Sequence, residues 1–255
     1  MVSLLVKLRP KVGSRGMGME MKSMEDGMVI VTGASRGVGR ETVLALCRAH
    51  QVPVMAIARD EDALDRLMEE GEGRVEGLAL DIAAPGAAEQ VKRKVAGRRV
   101  RGLIHNAGLL HNRPMGQHKR ADLEQLYAVN VLAPLELSQA LVPELAGDPP
   151  GHIVHIGSMG GFQDSAKFPG LVAYSASKAA LACMAQCLAE EFKDQGIRSN
   201  CLALGAVDTD MLRAAFPGFQ APVSAEAMGA YVAGFVLNGH KLFNGKVLPV
   251  AVGTP

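Results

Sequence analysis

The sequence predicts an α/β protein, a doubly wound parallel sheet of about seven strands with helices on both faces, folded as a single domain. Two observations carry this expectation. From Met28 onward, short apolar runs rich in β-branched residues alternate with longer segments whose apolar residues recur at helical spacing. Strands so interleaved need right-handed crossovers, which force a parallel sheet covered on both faces. The second observation is length: 255 residues without an internal Pro/Gly/Ser linker read as one domain, with enough chain to bury about three quarters of its unfolded surface.

The elements follow in order. Residues 28–31 form a strand by shortness and β-branching, and 41–50 a helix by spacing. Strand then helix repeats at 52–58 and 62–70, at 75–80 and 87–96, at 100–105 and 121–145, and at 152–156 and 174–193. Two further strands are expected at 197–204 and 246–252. Residues 1–26 stand outside this pattern. They hold five of the 13 methionines, and the first 19 residues carry four basic side chains and no acid. A flexible leader is the first reading, an upstream start codon the second and a transit segment the third, leaving 27–255 as the folded domain, whose strand ends, read below, make it a dinucleotide-binding catalytic one.

Composition narrows the function. With 27 basic and 26 acidic side chains the formal charge is +1, which argues against nucleic acid or an anionic membrane as partner. Seven Phe, three Tyr and no Trp argue against base-stacking platforms. No apolar run is long enough for a secretory signal or a membrane span, so a cytoplasmic protein is expected. Cys183 and Cys187 lie i, i+4 on one helix, where core packing is preferred to metal ligation because no histidine pair joins them; no metal is expected.

In an open parallel sheet ligands bind at the carboxyl ends of the strands, and four strand ends here are unusual. The first reads Thr32-Gly33-Ala34-Ser35-Arg36-Gly37-Val38-Gly39 and opens a helix. Its glycines let the backbone approach a pyrophosphate, whose charge meets the amides and positive end of the helix. Twenty positions beyond Gly39, the second strand ends in Arg59, where such folds often place an acid for a ribose 2′-hydroxyl. A cation there, with Arg36 as a second, favours a 2′-phosphate and so NADP(H) over NAD(H), although Asp60 keeps NAD(H) open. Asp81 ends the third strand, either capping the next helix or accepting from an adenine amino group while the Ile82 amide donates to the ring. The fourth ends in Asn106-Ala107-Gly108, small residues against which a cofactor can lie.

The fifth strand ends at Ser158, and the following helix carries Tyr174 and Lys178, i, i+4 on one face. A free tyrosine has a pKa near ~10, and a cation within ~4–6 Å lowers it by ~1–3 pH units, toward the range of a general acid/base. Ser158 could hold a carbonyl oxygen. In isolation each of these is an ordinary polar position.

Together, the glycine turn, Asp81, Asn106-Ala107-Gly108, Asn130, Ser158 and Tyr174-x-x-x-Lys178 closely resemble the single-domain short-chain dehydrogenase/reductase family, over about residues 26–253. The resemblance implies a Rossmann-type fold and hydride transfer between NADP(H) and a carbonyl or alcohol, a 3-oxoacyl thioester or another ketone. It makes Tyr174 the proton donor and acceptor, Lys178 the ribose ligand, Ser158 the group that polarises the substrate and Asn130 the anchor of a relay water. It also places Val207 and Thr209 beside the nicotinamide and the last strand at a subunit interface, so that a homo-oligomer, tetramer or dimer, is expected.

The chain departs from the family at His105, often Asn, and at Leu204, usually Pro. Tyr174 follows Ser158 by 16 positions, about three more than is common, which places an insertion beside the substrate; the short 210–224 segment suggests an open or small cleft, with Phe216 and Phe219 as lining or core. A cofactor-binding regulator with the same fold is the alternative. A nucleotide-sugar epimerase is disfavoured, because about 60 residues after Lys193 are too few for its second region.

Overall fold

The computed structural model describes residues 27–252, so the leader expected over 1–26 lies outside the described residues. Seven strands form one parallel sheet: β1 (Met28–Thr32), β2 (Val54–Ala58), β3 (Val75–Ala79), β4 (Val100–His105), β5 (Gly151–Ser158), β6 (Ile197–Leu204) and β9 (Val247–Val250). A separate two-stranded pair joins β7 (Val207–Asp208) to β8 (Val223–Ser224). The spatial order of the large sheet is β3-β2-β1-β4-β5-β6-β9, so the chain winds outward in opposite directions from the β1/β4 junction. A crevice opens at the carboxyl ends of the strands where the direction reverses.

The helices are α1 (Gly37–Arg48), α2 (Glu61–Glu70), α3 (Ala87–Val95), α4 (Arg120–Tyr127), α5 (Ala133–Ala140), α6 (Val142–Leu145), α7 (Val172–Glu191), α8 (Asp210–Ala215) and α9 (Ala225–Asn238). All five β1 residues are buried because each face has its own layer. Val29 and Val31 belong to a core built with Leu46 of α1, Leu67 of α2 and Val232 of α9. Met28 and Ile30 point the other way, into a core with Val91 of α3, Leu141 and Leu145. Alternation of side chains along a strand thus feeds two separate apolar layers.

The expected helix over 121–145 is broken twice, for reasons written in the chain. Pro134 has no N–H to give the carbonyl of Asn130, and residues Ala128–Leu132 widen into a π turn. Pro143 starts a new helix after Leu141 leaves helical geometry. Helix α9 was absent from the sequence expectation; its buried residues, from Met228 to Leu237, recur at helical spacing, but the exposed face holds Ala227, Ala230 and Tyr231, so the sequence shows little polar contrast. Cys183 and Cys187 are exposed on α7, which corrects the expected core placement: the buried stripe of that helix runs through Leu181, Ala185 and Leu188 instead.

Helix α9 packs against α1 through Gly229, where an added Cβ would lie 2.6 Å from Glu41 Cβ. Gly229→Ala is therefore expected to lower unfolding free energy by about 1–3 kcal/mol, the usual cost of overpacking. Urea unfolding of the variant beside wild type measures it; an unchanged midpoint would show that the two helices are not held at this distance.

Candidate active site

Thr32, the last residue of β1, is buried, and its hydroxyl oxygen accepts from the amides of Asn106 and Ala107, both at 3.1 Å. The Asn106 side chain donates back to the carbonyls of Thr32 and Gly33 at 3.0 Å. The turn after β1 is thus laced to the end of β4. A Cβ on Gly33 would sit 2.7 Å from Ala107 Cα, and one on Gly39 2.3 Å from Asn106 Nδ2. Glycine is required at both positions by the protein's own packing, and Gly39 lies beneath the cavity instead of on its wall.

Above this junction is a cavity of about 350 Å³. It is lined by Gly33, Ser35, Arg36, Gly37 and Val38 of the first turn, Arg59, Asp81, Ile82, Asn106, Ala107 and Gly108 of the next three strand ends, and Val207 and Thr209 beyond β6. Ser158, Tyr174 and Lys178 line it too. Every residue expected to be catalytic or to bind the cofactor lines it except Gly39 and Asn130.

The start of α1 faces this space. Its N-cap, Arg36, makes no side-chain cap bond, and the first turn carries no acid, so its amide groups are left for an anion. Gly37 adopts φ +55, a left-handed conformation at which a side chain is strained. Arg59 is exposed and, among the described residues, makes no ion pair. Asp60 beside it is turned away, accepting from the Ala63 amide at 3.0 Å as the cap of α2. Asp81 accepts from the Ala83 amide at 3.0 Å within its own turn and stays on the cavity wall; it does not cap the next helix, whose N-cap is Gly86 with no side-chain cap bond.

Ser158 Oγ accepts from the Gly160 amide at 3.1 Å, which leaves its proton to donate. Tyr174 is buried, and burial raises its pKa, with the Ser158 hydroxyl pulling the other way. This corrects the expectation that Lys178 brings the phenol down. The Lys178 ammonium stands 6.0 Å from the tyrosine ring centroid and donates to the Ile156 carbonyl at 2.8 Å. Burial lowers its own pKa to about 8, so desolvation governs both groups.

Asn130 is fully buried behind the wall. Its Oδ1 accepts from the Leu109 amide at 2.8 Å, and its Nδ2 donates to the Leu109 carbonyl and the Ser177 hydroxyl, both at 2.9 Å. Ser177 donates in turn to the Tyr174 carbonyl at 2.7 Å. Asn130 therefore pins the segment after β4 to the helix that carries the tyrosine. Sequence reasoning placed Thr32 at the head of the glycine turn but gave it no role; a threonine ending the strand directly before that turn was the signal.

Beneath Lys178 lie two stacked histidines, His105 and His155, in register on β4 and β5 with ring centroids 4.9 Å apart. His105 Nε2 is 2.8 Å from Ser138 Oγ, and His155 Nε2 is 3.3 Å from Ser199 Oγ. Burial pushes His105 down to about 3 and His155 well below the ordinary histidine range, with the charge of Lys178 adding to both.

Comparison with known proteins agrees with this geometry. Residues 27–218 match the family model for short chain dehydrogenases. The chain is 34% identical to the uncharacterized oxidoreductase YciK of Escherichia coli (strain K12), over 76% of this chain and 79% of that protein. It is also 34% identical to an L-xylulose reductase of Caenorhabditis elegans, over 74% of each. Among solved structures, a short chain dehydrogenase from Burkholderia cenocepacia J2315 in complex with NADP superposes with a TM-score of 0.81 at 27% identity, covering 91% of this chain and 98% of that one.

The buried histidines imply acid sensitivity. Their folded pKa values lie below the unfolded value of about 6.5, so the unfolded chain alone takes up protons as the pH falls through that value. Each histidine should cost about 1.4 kcal/mol of stability per pH unit below it, until the folded form protonates as well. Urea unfolding at pH 7 and pH 5 should show this loss, and His105→Asn should flatten it; identical slopes would mean that His105 is not buried neutral.

Proposed function

This chain belongs to the short-chain dehydrogenase family, and on that premise we propose that it is an NADPH-dependent reductase of ketones or aldehydes with Tyr174 as its proton donor. The observation that carries the reading is convergence: the Ser158 hydroxyl, the Tyr174 phenol and the Lys178 ammonium line one cavity with the uncapped, glycine-led start of α1.

The residues fit a dinucleotide. The amides from Gly33 to Val38 would hold a pyrophosphate at the helix start, and the close Asn106-Ala107-Gly108 backbone would form a wall for the cofactor. Arg59 and Arg36 meet a 2′-phosphate, which favours NADP(H) over NAD(H), the more so because Asp60 is engaged as a cap. Asp81 and Ile82 would meet the adenine, Val207 and Thr209 the carboxamide, and Lys178 the ribose. When bound, NADPH supplies the hydride that reduces the carbonyl carbon.

The protein supplies the rest. Ser158 donates to the carbonyl oxygen and fixes its position, and Tyr174 passes its phenolic proton to that oxygen as the alcohol forms. Burial raises the phenol pKa, so Tyr174 carries its proton at neutral pH, as an unperturbed tyrosine also does. Lys178, lowered to about 8, is poised to return a proton near neutrality. Asn130 positions Leu109 and α7, and Pro134, lacking an N–H, cannot donate to its carbonyl, to which we assign the relay water.

Tyr127, Leu132, Leu135 and Val172 are exposed on the packed α4, α5 and α7 region, a face suited to a second copy of the chain. No helix among the described residues is long and apolar enough to cross a membrane, and we place the homo-oligomeric enzyme in the cytoplasm.

Tyr174→Phe should lower kcat at least ~10²-fold, the lower range for losing a general acid, while NADPH binding followed by fluorescence persists. Undiminished turnover would remove the tyrosine from the mechanism. Arg59→Ala should raise the Kd for NADPH far more than that for NADH; equal effects would separate Arg59 from the 2′-phosphate.

A further inference from the structure

We infer that the carbonyl compound taken by this site is a neutral ketone or aldehyde bearing an apolar alkyl or aryl group, rather than a sugar, an oxo acid or a phosphorylated compound. The inference rests on the reductase reading and extends it to the substrate. The reactive phenol sits in its own apolar cluster: Tyr174, Leu126, Leu171 and Ala173 are buried together, and Leu109, Leu110, Phe168 and Phe216 pack around them. Leu109, Leu110, Phe168, Leu171 and Phe216 also line the cavity, so the same surfaces meet whatever is held at Tyr174. Val129, Met159, Met211 and Leu212 extend that lining, and Gln125 adds a polar side chain.

The nearby charges are spent elsewhere. Arg113 is held by Asp122 at 2.5 Å, and the Lys167 ammonium bonds to the Phe162 carbonyl and the Ser165 hydroxyl within its own loop. Asp210, which does line the cavity, is paired with Arg213 at 2.7 Å and lies 3.9 Å from Arg36. Lys178 is bonded to the Ile156 carbonyl. A substrate carboxylate or phosphate beside Tyr174 would thus be stripped of water without a matching cation, and the hydroxyls of a sugar would face leucine and phenylalanine.

The apolar wall is pre-formed, because the loops that build it are tied together. Asn112 Nδ2 donates to the Ala215 carbonyl at the end of α8, and the Arg113 amide donates to the Gly170 carbonyl, both at 2.9 Å. The rings of Phe168 and Phe216 meet edge to face with centroids 5.5 Å apart, joining the insertion before α7 to the end of α8. Of the open or small cleft expected from the sequence, these contacts build a walled one, and Phe216, unlike Phe219, is on its lining. In the reaction such a substrate undergoes, the carbonyl carbon gains a hydride from NADPH and the oxygen gains the Tyr174 proton. The products are the alcohol and NADP⁺.

The test compares kcat/KM, with saturating NADPH, for an aryl alkyl ketone, a ketose and a 2-oxo acid. The aryl alkyl ketone should exceed each of the others by at least ~100-fold, the scale on which apolar pockets discriminate. Phe216→Lys should narrow the gap to the 2-oxo acid, and Phe168→Ala, a second variant in case the first fails to fold, should lower kcat/KM for the aryl ketone more than for acetone. A ketose or 2-oxo acid turned over as well as the aryl ketone overturns this inference and leaves the reductase reading standing. A protein that binds NADPH yet reduces none of the three overturns the reductase reading itself, and this inference with it.

Discussion

Thr32 and Asn106 close the gap between the ends of β1 and β4, and the cavity is built on that junction. Two backbone amides converge on the Thr32 hydroxyl, and the Asn106 side chain bonds back to two carbonyls of the turn. The approach leaves no room for a Cβ at Gly33 or Gly39. The same contacts set where α1 begins, and so where its unpaired amides point. The direction of winding reverses at this seam. The anion-binding end of the cavity therefore follows from one short-range network, which bound cofactor inherits and does not have to create.

The reactive end has a different foundation, a buried polar layer under α7. Asn130 ties the segment after β4 to Ser177 and through it to the backbone of Tyr174. Lys178 is anchored on the Ile156 carbonyl above the stacked His105 and His155. Cys201 belongs to the same layer: burial pushes its thiol up to about 11 while Lys178 pulls it down, and a Cβ on Gly157 would lie 2.6 Å from its sulfur. Burying so many polar groups costs stability, offset here by pairing most of them. In return, the tyrosine and lysine sit where desolvation, more than their mutual attraction, sets their protonation.

Legibility differed from element to element for physical reasons. Strands such as 28–31 were readable because a run buried on both faces must be apolar throughout, whatever surrounds it. Arg59 and Asp81 were readable because strand ends in this topology have fixed places around the crevice. Helix α9 was not, since its exposed face carries Ala227, Ala230 and Tyr231, and so lacks the polar contrast that marks amphipathic periodicity. The exposure of Cys183 and Cys187 was hidden as well: two residues i, i+4 share a helix face, yet spacing says nothing about whether that face meets the sheet.

By itself the sequence determined the α/β class, the single domain and the set of strand ends that meet at the cavity, because these depend on local periodicity and on residues adjacent along the chain. It also located the tyrosine and lysine, whose i, i+4 spacing any helix converts into a shared face. Tertiary structure alone decided that the phenol is raised instead of lowered, that Gly39 and Asn130 act from behind the wall, and that Phe168 meets Phe216 across the cavity. Each of these depends on burial or on contact between segments distant in the chain, and neither is encoded in spacing along it.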